Sequence, residues 1–351
     1  RETPEPPGGL IDRDPNTGEP NGLLFDMLGY IREKVMPPLS EEKMMRGIAL
    51  ANQHELSYGI TSLQDPTIVN DFGRWQTFRR FKDTDKLKSR ISMMFGIEAL
   101  SQFQEADLAL GSGDNQLRLG GIKIILDEVT GQLYPPRSEL NQQVIEAHRA
   151  GFQLAIHAIE SSTVEVAITA LENAYSHCPQ AGRRHRIEHC SECPPHLVKR
   201  LSKLKAIVVT QPPFLYYSGE RYLATLPASR LQWLYRIKSL VEGGLVVAGS
   251  SDSPVVPDNP LVGIYAAVTR QTEVGQQILP QECVSASQAL AMYTINAAYA
   301  SFEEGIKGSI TQGKLADIVV LSNDPTKSPS EQIKDIKVEM TIIGGKVMWE
   351  A

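Results

Sequence analysis

Residues 152–190 read FQLAIHAIESSTVEVAITALENAYSHCPQAGRRHRIEHC. An apolar run, Gln153–His157, precedes the amphipathic helical pattern STVEVAITALENAYSH. A second β-rich run, Arg184–His189, follows it. Strand, helix and strand in that order make a βαβ unit, with parallel strands and a helix covering one face. Both strands close on a histidine. Parallel α/β folds place their reactive groups at these C-terminal strand ends.

The same rhythm extends in both directions. Upstream lie the strand patterns Ile60–Gln64, Lys88–Phe95 and Ile122–Leu126; downstream lie Ala206–Thr210 and Leu245–Gly249. With the two strands above, this makes seven. Helical patterns separate most of them, including SELNQQVIEAHRAG and PPHLVKRLSKL. Alternating β and α units with continuous apolar strands predict an α/β fold, a (β/α)8 TIM-type barrel. Seven strands leave such a barrel one short. The opening, with its turn-rich PNTGEPNG between Ile11–Asp14 and Leu23–Phe25, reads as a hairpin insertion at about 8–26. A helix is expected over Glu41–Glu55 and another over Ala286–Tyr299. The barrel therefore takes residues 1–300. Residues 301–351, with GSITQGKLADIVVL and VEMTIIGGKVMWEA, read as a small C-terminal β element.

Composition narrows the function classes. The chain has 351 residues, 42% apolar and 22% charged, with net charge −6. It is long enough for a core without disulfide staples. No long basic run is present, which argues against nucleic acid as a partner. No apolar stretch reaches the roughly 18 residues of a membrane span. Four cysteines in a chain this long favour a reducing compartment, hence the cytoplasm, over a secreted disulfide framework. The first residue is Arg1 rather than Met, and residues upstream of it are expected.

Four polar residues stand out at strand ends. Lys123 lies inside GGIKIIL, His157 ends QLAIH, His189 ends RIEH, and Asp252 follows VVAGSSD. Their gaps are 34, 32 and 63 residues; the last is doubled because Ala206–Thr210 intervenes without a ligand candidate. Neutral imidazole and carboxylate bind Zn²⁺ and similar divalent ions. An ammonium has no lone pair, so Lys123 serves only if deprotonated or converted. Taken singly, each has a plainer reading: a hydrogen-bonded structural histidine, a solvated lysine, or an aspartate capping a helix. Four together at barrel spacing favour the metal.

A rival metal reading uses HCSECPPH, with His189, Cys190, Cys193 and His196 as a zinc knuckle. Structural zinc sites draw on two separated pairs. Here the ligands crowd into eight residues and Pro194–Pro195 restricts the turn. Cys190 and Cys193 read better as small loop residues. His54, His148, His177 and His185 read as structural. Tyr216, Tyr217 and Arg221, with Glu220, follow Ala206–Thr210 in a loop expected over the barrel mouth, and they are the candidate substrate-binding residues. With Phe214 and Trp75 they point to an apolar or aromatic substrate.

Taken in order, GITSLQD, GGIKIILDE, FQLAIHAIES, RHRIEHC, VTQPPFLYYSGERY, GSSDSPV, SASQALAMYTINAA and GSITQGKLADIVVL resemble the amidohydrolase superfamily, in its YtcJ-like branch (amidohydrolase family 3). The resemblance covers essentially the whole chain. It implies that the C-terminal β element belongs to a β-sandwich. It also implies roles. Lys123 is the lysine of the fourth barrel strand, which CO₂ can convert to a metal-bridging carbamate. His157 and His189 are the ligands of the fifth and sixth strands. Asp252 is the aspartate of the eighth, a metal ligand and general base. One or two divalent ions, zinc foremost, are implied, with a small-molecule substrate.

One family motif is missing, which implies that the strand absent from the count of seven is the first of the barrel. The His-x-His pair of the first strand occurs nowhere in the 351 residues. Either a complementary chain supplies it or this chain alone is inactive; a homo-oligomer is a further expectation. The activity expected is hydrolysis of an amide, formamide or cyclic amide. A metal-free binding or scaffold protein of the same fold, and a hydrolase of esters or lactones, are the alternatives.

Overall fold

The computed structural model describes residues 3–5, 9–25, 27–37, 39–129 and 131–351. The opening hairpin pairs β1 (Leu10–Arg13) with β2 (Pro20–Phe25), antiparallel and in a sheet of their own. The Asp14 carboxylate accepts from the backbone of Asn16 and Thr17 and so fixes the turn. Gly8 and Asp26, the ends of the expected insertion, lie outside the described residues.

The helix Glu41–Ser57 follows, capped by the Ser40 hydroxyl and with Glu41 and Glu42 in its first turn. Then come β3 (Ser62–Asp65), β4 (Arg90–Gly96) and β5 (Leu117–Ile125), and a short hairpin of β6 (Asp127–Val129) and β7 (Gln132–Tyr134). Next are β8 (Leu154–Ala158), β9 (Arg186–His189), β10 (Ile207–Thr210) and β11 (Val246–Gly249). Seven of these form one sheet in the order β11-β10-β9-β8-β5-β4-β3, every pair parallel. All seven expected strands are present. The sheet curls as a TIM-type barrel does, with β3 and β11 at its two edges among the described residues.

Strand alternation divides the sheet's faces. Ile122, Ile124, Ile156, Ile187, Val208 and Val247 enter one large core with the covering helices. The opposite, inner face carries Lys123, His157 and Glu188, with a small apolar group of Ile207, Val209, Ala248 and Ala300.

Two expected boundaries shift. The strand β5 begins at Leu117, ahead of Gly120–Gly121 rather than after it. A Cβ at Gly121 would stand 2.5 Å from the Gln153 carbonyl, and one at Gly120 would stand 3.1 Å from that of Met93. The glycines let β4, β5 and β8 approach closely instead of breaking the strand. The helix expected over Ala286–Tyr299 is two helices, Ala286–Met292 and Ile295–Ala300. A capping box of Ser285 and Gln288 starts the first. The break falls at Tyr293, whose half-buried ring lies against Gly249 and Gly263. Beyond it Asn296 donates to the Val247 carbonyl on the inner face.

The C-terminal strands β12 (Ile318–Leu321), β13 (Val338–Ile343) and β14 (Lys346–Glu350) form an antiparallel sheet. A bidentate pair of Arg90 with Asp317 ties it to the start of β4, at 2.6 and 2.8 Å. The Thr341 hydroxyl donates to the Leu56 carbonyl. Among the described residues no helix is long and apolar enough to cross a membrane.

Candidate active site

The four strand-end residues come together. The imidazoles of His157 and His189 meet edge to face at 4.2 Å between centroids. Asp252 feels the charges of Lys123 and His157, and Lys123 feels that of Asp252 in return. Each residue arrives from a different strand end: β5, β8, β9, and the loop three residues past β11.

Local backbone conformation helps place them. Along β9, Arg186 and Glu188 face inward, so strict alternation would put His189 with Ile187 in the helix layer. His189 instead takes a left-handed backbone, φ 71°, followed by Cys190 at φ 50°. Asp252 is left-handed too, at φ 57°. Non-glycine residues rarely hold this conformation unless their surroundings impose it.

Electrostatics follow from burial. Burial, then the charges of His157 and Lys123, pushes His189 down to about 3, so its imidazole is neutral. Burial also pulls Lys123 below the ordinary lysine range; its side chain is 6% exposed. The Asp252 carboxyl rises because burial outweighs the pull of Lys123 and His157. Beside Lys123 lies Glu188. Burial alone would raise this carboxyl, but Arg186 and Lys123 outweigh it and hold Glu188 below its usual value. Arg186 pairs with Glu188 and reaches Gln64 across the inner face.

Three neighbours were not among the sequence candidates. Asp127, just past β5, stands 3.3 Å from His157 Nε2. Glu188 shares the inward register of β9 with Arg186. Gln211, just past β10, meets His189 Nδ1 at 2.8 Å. Their signal was position alone: each lies at or beside a strand end.

The expected substrate residues are placed differently. Tyr216, Tyr217 and Arg221 lie on a helix, Pro213–Thr225, not in a loop, because Pro212–Pro213 opens a helical turn. Tyr216 packs on Tyr265, with the Lys334 ammonium 5.3 Å from its ring. Tyr217 packs on Tyr216 and senses Tyr58, Glu273 and Asp258. Arg221 is exposed and lies over Tyr222. Among the described residues none of the three forms a hydrogen bond, ion pair or ring contact with Lys123, His157, His189 or Asp252. Trp75 is buried in the core. The aromatic ring that senses Asp252 is Tyr235, whose hydroxyl is 3.5 Å from that of Tyr222.

The rival zinc knuckle does not form among the described residues. Cys190 and Cys193 are buried free thiols in the core, and His196 is exposed. His185 and His148 form a buried pair. The Leu154 N–H donates to His185 Nδ1, leaving His185 Nε2–H to donate to His148 Nδ1 and His148 Nε2–H to the Cys178 carbonyl.

The donor set suits a divalent ion in type: two imidazoles and one carboxylate, with a buried lysine beside them. It is not a closed cage. Among the described residues no three His, Cys, Asp or Glu side chains stand close enough to enclose an ion.

Fold and site together define a class: a TIM-type α/β barrel with its polar residues gathered at the strand C-termini. The profile of the amidohydrolase family matches residues 1–349, and the chain belongs to that family. It is 27% identical over 374 residues to a putative amidohydrolase, YtcJ, of Bacillus subtilis, covering all of this chain and 69% of that protein. It is 25% identical over 375 residues to an N-substituted formamide deformylase of Arthrobacter pascens, covering 99% and 68%. The fold matches that of an uncharacterized metal-dependent hydrolase from Pyrococcus horikoshii OT3. The TM-score is 0.73 at 24% identity, over 86% of this chain and 64% of that one. The chain thus spans about two thirds of the length of these relatives.

Proposed function

We propose that this chain carries the reactive face of a metal-dependent hydrolase that cleaves the C–N bond of an amide, formamide or cyclic amide. The carrying observation is the convergence of Lys123, His157, His189 and Asp252 from four strand ends. The formamide deformylase relative supports the substrate class.

His157, His189 and Asp252 are the ligands in this reading, with Lys123 joining them as a carbamate. The imidazole and carboxylate donors suit zinc, as one or two ions. A divalent ion held there supplies the Lewis acid that acidifies a water and polarises the scissile carbonyl. Asp252 takes the proton of the attacking water and returns it to the leaving nitrogen. Its raised pKa suits a group that alternates between carboxylate and acid.

The test is zinc loading of the full-length protein, including any residues upstream of Arg1, followed by assay on N-substituted formamides, cyclic amides, esters and lactones. Zinc-dependent hydrolysis of the C–N substrates is expected. Asp252→Asn should lower kcat about 10²–10⁴-fold, the range for loss of a general base. A protein that binds no divalent metal, with hydrolysis unchanged in Asp252→Asn, overturns the reading. Turnover of esters or lactones alone moves it to the non-amide class.

A further inference from the structure

We infer that Gln211 is a positioning residue that locks His189 in the tautomer carrying its proton on Nδ1. Nε2 is thereby left as the lone-pair nitrogen. The value of that lone pair rests on the reading of His189 as a metal ligand; the hydrogen-bond assignment does not.

The argument starts from the Gln211 amide. Its side chain is buried, 2% exposed, and its Oε1 lies 2.8 Å from His189 Nδ1. Its Nε2 points the other way and donates to the Val209 carbonyl at 3.4 Å. Only one end of an amide accepts. With the N–H₂ end spent on Val209, the oxygen faces His189 and requires a proton on Nδ1. The flipped amide would donate to Nδ1, push the imidazole proton to Nε2 and leave no lone pair there. The two orientations therefore have opposite consequences for a ligand.

The surroundings hold Gln211 in place. Its carbonyl accepts from Phe214 N–H in the first turn of the following helix, and Pro212–Pro213 stiffens the backbone between them. His189 is itself 4% exposed, so bulk water is a poor substitute for the amide. The left-handed backbone at His189 sets where the ring lies. Gln211 sets which nitrogen is free.

The experiment reads the tautomer directly in the metal-free protein. Histidine is labelled with ¹⁵N, and long-range ¹H–¹⁵N spectra show which nitrogen bears the proton; His189→Asn assigns the signal. Wild type should show Nδ1–H. Gln211→Leu should lose that preference. Gln211→Glu, which keeps an acceptor, should retain it. In a parallel chelator competition, zinc affinity should fall about 10–100-fold in Gln211→Leu and recover in Gln211→Glu. A wild type with Nε2–H, or an unchanged tautomer in Gln211→Leu, overturns the inference. If Gln211→Leu does not fold, the wild-type and Gln211→Glu spectra decide. Failure of wild type to bind zinc overturns the proposed function and leaves the tautomer assignment standing.

Discussion

The rings of His157 and His189 stand 4.2 Å apart at 67°, although the two residues are 32 positions apart in the chain. Both sit at the ends of adjacent parallel strands, with Ala158 opposite His189 in the register. Burial, with His157 close by, holds His189 down to about 3, so that ring is neutral, the state in which imidazole binds metal.

Removing one ring tests the pair. His189→Ala should abolish stoichiometric zinc binding, read by metal analysis after dialysis. His157→Ala should do the same. Stripping zinc from wild type with a chelator should abolish hydrolysis, and adding zinc back should restore it.

His185 makes stability depend on pH. Burial, with His148 and Arg183 nearby, pushes its folded-state pKa down to about 3, against 6.5 in the unfolded chain. As pH falls below 6.5 the unfolded chain takes up the proton first. The stability this group preserves is full above pH 6.5 and declines toward pH 3, by at most about 1.4 kcal/mol per pH unit. His185→Asn keeps an acceptor for the Leu154 N–H but does not titrate. Urea unfolding between pH 6 and pH 4 should show a shallower loss of stability in this variant than in wild type.

Glu55 works with the opposite sign. Burial, reinforced by Asp258 and opposed by a hydrogen bond from Ser89, pushes it up to about 7 from 4.5. Between those values the folded state holds the proton more tightly. The contribution to stability is therefore present below pH 4.5 and lost as pH rises through 7. Glu55→Gln should be more stable than wild type at pH 8, by on the order of 2–3 kcal/mol, and close to it at pH 4.5. Unfolding midpoints at the two pH values check this.

Tyr293 gives a packing test. A Cβ at Gly263 would fall 1.9 Å from the Tyr293 oxygen, and that hydroxyl is buried without a hydrogen-bond partner among the described residues. Gly263→Ala should destabilise by about 1–3 kcal/mol, the usual cost of overpacking. Tyr293→Phe removes an unsatisfied polar atom and should cost little by itself. Combined with Gly263→Ala it should recover part of the loss. Thermal unfolding of the three variants decides whether the contact is as tight as described.

The chain order of apolar runs was enough to find all seven parallel strands, because a strand buried on both faces needs a continuous apolar sequence. It also put Lys123, His157, His189 and Asp252 at or just past strand ends, which is where the structure has them. The strand expected from Ile122 begins at Leu117 instead, ahead of Gly120–Gly121, because the crowding that requires glycine there comes from Gln153 and Met93. The helix interruption at Tyr293 was hidden for the same reason, its ring being seated against Gly249 and Gly263. Tyr216, Tyr217 and Arg221 drew attention as loop residues and proved helical, directed at Tyr265, Lys334 and solvent. Asp127 and Gln211 carry no pattern at all: a lone carboxylate or amide past a strand is common. Periodicity is a property of neighbours in the chain, so the sequence by itself determined the strands and the residues at their ends. The partners of those residues are chosen across the sheet. Only the tertiary structure could put Asp127 against His157 and Gln211 against His189, because a hydrogen bond depends on distance in space rather than along the chain.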